Sequence, residues 1–126
     1  MSRADITKRQ LHYWKGKHLE DIGDFKGAIE EYLKYSQWLS EEDRHIPHYW
    51  IADLYRKLGK INKYVDHLLI FAYKTPPNQA ASLLKERGLQ LLDKSENIFA
   101  LKLFEAALEL NPKIGLKTIV QKLKTA

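Results

Sequence analysis

A period of 36 residues constrains this chain more than any other feature of its sequence. Gly23 and Gly59 lie 36 apart, and Ser95 falls 36 further on. The tripeptide His12-Tyr13-Trp14 recurs as His48-Tyr49-Trp50 at the same offset. Gly16, Ala52 and Gly88 share that register, as do Leu19, Tyr55 and Leu91. Self-similarity at this spacing is the signature of a repeat array, in which no unit buries its apolar face alone and about three must stack for stability.

Each repeat reads as helix, tight turn, helix. The first helix is expected from about Asp5 to Asp21, with Leu11, Trp14, His18 and Leu19 on its apolar side. Gly23 ends it in the left-handed conformation that glycine adopts without steric cost. Asp24 caps the second helix, which turns Phe25, Ala28, Ile29, Tyr32 and Leu33 inward. Ser40 to Arg44 make a polar connection, and Pro47 fits the first turn of a third helix that stops at Gly59. The fourth helix runs from Ile61 to about Tyr73 and is broken by Thr75-Pro76-Pro77. Asn78 is expected to cap helix five and Ser95 to open helix six. Helix six carries Ala100, Phe104, Ala107 and Leu108 on one face until Asn111-Pro112 stops it. A seventh helix, about 114–124, is apolar at Leu116, Ile119, Val120 and Leu123 and basic elsewhere. No stretch alternates with period two, so no strand is expected.

These readings give an all-α array of about seven helices in a single domain, 1–126. Its repeats span about 9–44, 45–80 and 81–112, followed by a capping helix at about 114–124. A chain of 126 residues is long enough for a real core. With no cysteine, thiol redox chemistry and cysteine-bound metal are excluded. No apolar run approaches bilayer length and the start lacks a signal-peptide core, so no membrane partner and a cytoplasmic location are expected. The net charge of +5 is concentrated in three basic clusters. These are Arg3 to Lys17, Arg56 to Lys63, and Lys113, Lys117, Lys122 and Lys124. Lysine outnumbers arginine 16 to 5, which favours solvated helix surface over phosphate and base recognition.

The unit resembles a tetratricopeptide repeat, a family with a usual period of about 34 residues. The third repeat supplies Leu84, Arg87-Gly88, Leu91, Ala100, Phe104 and Pro112 at the family's bulky, large-small, aliphatic, alanine, aromatic and proline positions. The first supplies His12, Lys15-Gly16, Leu19, Ala28 and Tyr32, with Ser40 in place of proline. The second supplies His48, Ile51-Ala52, Tyr55, Leu68 and Pro76, with Tyr64 in place of alanine. The pattern implies that Gly16 meets Ala28 and Gly88 meets Ala100 where helices cross. Opposite Ala52, Tyr64 either splays its hairpin or points along a neighbour with its hydroxyl in solvent.

The resemblance further implies a right-handed superhelix whose concave groove, lined by first helices, holds a peptide or helix of another protein. Groove positions carried over one by one are Tyr13, Lys17 and Glu20, then Tyr49, Asp53 and Arg56, then Lys85, Leu89 and Leu92. Trp14 and Trp50 fall at the possible groove edge, where they equally well wedge helices together. Only Lys17 offers a basic group where relatives carry a carboxylate clamp, so a clamp of that type is not expected. His12 and His48 stand at a bulky core position and read as packing residues. His45 and His48 lack the further donors that a metal site needs. Neither a nucleophile-base set nor a phosphate loop is present, so no catalysis and no cofactor are expected. The expected function is protein binding, as adaptor, chaperone or regulatory subunit. The alternatives are nucleic-acid binding through the basic terminal helices with aromatic stacking, and self-association as a scaffold.

Overall fold

The computed structural model describes residues 2–125. Among them are seven helices and no strand: α1 (Arg3–Asp21), α2 (Phe25–Gln37), α3 (Ile46–Lys57), α4 (Ile61–Ala72), α5 (Pro77–Asp93), α6 (Asn97–Leu110) and α7 (Lys117–Thr125). The chain divides into two compact units, Met1–Phe71 and Ala72–Ala126. The division falls at the end of α4, inside the second repeat.

The 36-residue period has a backbone cause. Three turns close in the same way: Asp24 N–H donates to Leu19 C=O at 2.8 Å, Lys60 to Tyr55 at 2.9 Å, and Glu96 to Leu91 at 2.9 Å. The residue before each donor has positive φ, at Gly23 (84°), Gly59 (75°) and Ser95 (61°). This closure satisfies carbonyls that a helix end leaves unpaired, and it needs a left-handed residue at its corner. The second helices then start at Phe25, Ile61 and Asn97, each 36 residues after the last.

Ser95 therefore ends the fifth helix rather than opening the sixth, whose N-cap is Glu96. Asn78 is likewise no cap: Pro76 is the N-cap of α5 and Pro77 stands at its first position, where a missing N–H costs nothing. Asp24 does cap α2, its carboxylate accepting from Gly27 N–H at 3.0 Å. α7 starts three residues later than the apolar pattern indicates, after a turn with Gly115 at φ 85°.

In the first unit α2 and α3 build a core of Ala28, Ile29, Tyr32, Ile51 and Leu54, with Tyr13 and Leu19 of α1 packed against it, and Tyr64, Val65 and Leu68 of α4 are buried as well. Each fully buried large side chain contributes about 1.5–3 kcal/mol. Gly16 is buried, and a Cβ there would lie 2.5 Å from the Tyr32 ring. In the second unit a Cβ on Gly88 would meet Phe104 at the same 2.5 Å. The close neighbour of each glycine is thus the aromatic ring, not the alanine expected. The reason is volume, since an aromatic ring on the second helix needs the missing side chain opposite. Tyr64 is 1% exposed, so its hydroxyl does not reach solvent.

The apolar side expected for α1 is also corrected. Leu11 is 49% and Trp14 64% exposed, and His18 is exposed, while Leu19 packs against the core. The inward face is instead set by His12, Tyr13, Gly16 and Leu19. In the second unit Leu116 and Val120 of the C-terminal segment are buried, and Lys124 Nζ lies 3.6 Å from Glu105 of α6.

Candidate functional site

α1 and α3 run one repeat apart in the first unit, so residues of equal register on them fall side by side. Tyr13, Lys17 and Glu20 of α1 and Tyr49, Trp50 and Asp53 of α3 line a cleft of about 370 Å³, with Tyr32 of α2 at its base. Trp50 is packed as well as cleft-lining. Its ring meets Tyr13 at 5.9 Å and Tyr32 at 5.4 Å, both edge-on, and stacks on Tyr35 at 6.1 Å. Tyr13 also contacts Trp14 at 5.3 Å and Tyr35 at 5.4 Å, and Tyr49 lies 4.9 Å from Phe71. Tyr13 and Tyr49 thus both pack within the unit while lining the cleft.

The polar groups of the cleft differ in how far they are committed. Tyr32 Oη donates to Glu20 Oε1 at 2.8 Å. Burial, then the Glu20 carboxylate, raises the Tyr32 pKa above the ordinary phenol range, so the hydroxyl stays a donor. Asp53 accepts from Arg56 Nε at 3.1 Å and lies 3.5 Å from Lys57 Nζ. Burial alone would raise its pKa, but the Arg56 guanidinium and Lys57 outweigh it and hold the carboxyl low. Arg56 is therefore tied to Asp53 and does not line the cleft. Lys17 has no ion-pair partner among the described residues.

The expected groove residues of the third repeat lie in the second unit. Lys85 Nζ donates to the Ile114 carbonyl at 3.3 Å, tying α5 to the loop before α7, and Leu89 is 39% exposed. Trp14 stands on the outer side of Tyr13 and does not line the cleft.

The core histidines make specific contacts. His12 Nδ1 donates to Glu31 Oε2 at 2.7 Å. In the next repeat, at the same offset, His48 Nδ1 and His67 Nδ1 are 2.9 Å apart, and the Tyr55 ring stacks on His67. One neutral imidazole donates and the other accepts. Burial first, then neighbouring histidines, lowers both pKa values. His67 was not singled out from sequence, although its register with Glu31 is the signal that finds it. Among the described residues no group of three or more His, Cys, Asp or Glu is placed to hold a metal ion. Among the described residues no helix is long and apolar enough to cross a membrane. No protein-family model matches the chain, and no curated protein resembles it significantly.

Proposed function

We propose that this chain is a tetratricopeptide-like binding module without catalytic activity, holding a peptide or helix of another protein along α1 and α3. The observation that carries this reading is the cleft, where two tyrosines of equal register flank an uncommitted Lys17 and a Tyr32-bound Glu20. Aromatic rings presented beside polar groups are the usual anchors of protein interfaces. The three hairpins closing at 36-residue intervals support the repeat assignment.

Capture from native lysate, with and without nuclease and at two salt concentrations, tests the proposal. Lys17→Glu with Tyr49→Ala should weaken retention of the bound protein by about 2 kcal/mol or more. Reversing Lys113, Lys117, Lys122 and Lys124 to Glu should leave it unchanged. Retention that is abolished by nuclease and falls steeply with salt, with loss on reversing the lysines, would establish nucleic-acid binding instead.

A further inference from the structure

Leu11, Trp14, His18 and Ile22 follow one another at steps of three and four, so they form one stripe along α1. All four are exposed, Trp14 at 64% and Ile22 at 63%. The residues 36 positions on, Pro47, Trp50 and Leu54 of α3 and Leu58 at its C-cap, occupy the equivalent stripe. There the face is covered by α2. Pro47 and Leu54 are buried, Trp50 packs on Tyr32 and Tyr35, and Leu58 packs against the shared core. Such a face is not apolar by default: the same register runs Leu83, Glu86 and Gln90 on α5 and Lys94 at its C-cap, and the last three are exposed. Among the described residues α1 thus presents uncovered the apolar stripe that α2 covers on α3.

We propose that this stripe of α1 receives an acidic amphipathic helix from another protein, seated as α2 is seated on α3. The apolar requirement comes from the register. The charge comes from the flanks: Arg3, Lys8 and Lys15 are exposed beside the stripe, and Lys8 already lies over the Trp38 ring. Asp21 is the acid at its C-terminal end. Pairing two α1 helices along this stripe would bring their Lys15 side chains together near its middle, which disfavours a second copy as the occupant. The cleft plays no part in this surface, so the proposal stands apart from the reading above.

The probe is a fluorescein-labelled peptide of residues 24–37 carrying Lys26→Glu and Lys34→Glu, held helical by a staple on its outer face. Fluorescence anisotropy with the full chain should show saturable binding, weakened about tenfold or more by Trp14→Glu and, separately, by Ile22→Glu. Both positions are exposed, so unchanged melts should accompany the loss. A peptide with Ile29→Asp and Leu33→Asp should not bind. Absence of binding by the acidic peptide, or equal binding to the Trp14→Glu chain, overturns the proposal. So does a Trp14-dependent dimer in sedimentation velocity, or Trp14-dependent binding to anionic phosphatidylserine vesicles.

Discussion

Gly88 and Phe104 make one fitted contact, and its partner in the first hairpin, Gly16 with Tyr32, repeats it 72 residues earlier. A methyl group added at Gly88 would lie 2.5 Å from the Phe104 ring, inside van der Waals contact. Gly88→Ala is therefore expected to destabilise the chain by about 1–3 kcal/mol, read as a lower denaturation midpoint, because overpacking forces ring or helix to move. An unchanged midpoint would mean that the helices separate freely. Ser95 is the converse case. It holds φ 61°, where its register partners are Gly23 and Gly59. Ser95→Gly should stabilise by up to about 1 kcal/mol as left-handed strain is relieved, offset in part by the greater chain entropy of glycine. Thermal melts of the two variants are expected to shift in opposite directions.

α7 has little to hold it except its seat on α6. Leu116 and Val120 are buried, Lys85 bonds the carbonyl of Ile114, and Lys124 lies 3.6 Å from Glu105. The exposed Lys124–Glu105 pair contributes little, so the apolar contacts dominate. Removing residues 115–126 should uncover α6 and lower stability markedly or cause aggregation. A truncated chain that stays soluble with an unchanged melt would show that α7 is no cap. The hairpin turns fix where α2, α4 and α6 begin. Each begins one residue after the closing donor, at Asp24, Lys60 and Glu96.

Charge and titration act on the chain as a whole. Burial and neighbouring histidines lower the pKa values of His48 and His67, so folding favours their neutral forms. The unfolded chain then binds more protons at mildly acidic pH, and stability falls as pH drops through about 6.5 toward the lower folded values. His45, Asp66 and Lys63 also face this pair, with Asp66 opposing the shift of His67. Urea midpoints measured from pH 7.5 to 5 should decline. The double variant His48→Leu, His67→Leu, which copies Leu84 and Leu103 of the third repeat, should flatten that decline. An equal slope in both chains would assign the acid sensitivity elsewhere.

The helices, their order and their period are legible in the residues alone, because glycine corners, proline stops and apolar spacing act locally. Gly23, Gly59 and Asn111-Pro112 could be read without any partner in view. Tertiary structure decided what no local rule specifies. Ser95 takes a glycine's conformation because the closure demands it, and Tyr64 is buried where solvent was an open choice. Leu11 and Trp14 face outward although their spacing suits a core. Tyr13, Lys17, Tyr49 and Asp53 come together through the packing of α1 beside α3, while Arg56 is drawn off to Asp53. Periodicity says that a helix has an apolar side. Only the neighbours packed against it decide which side is covered.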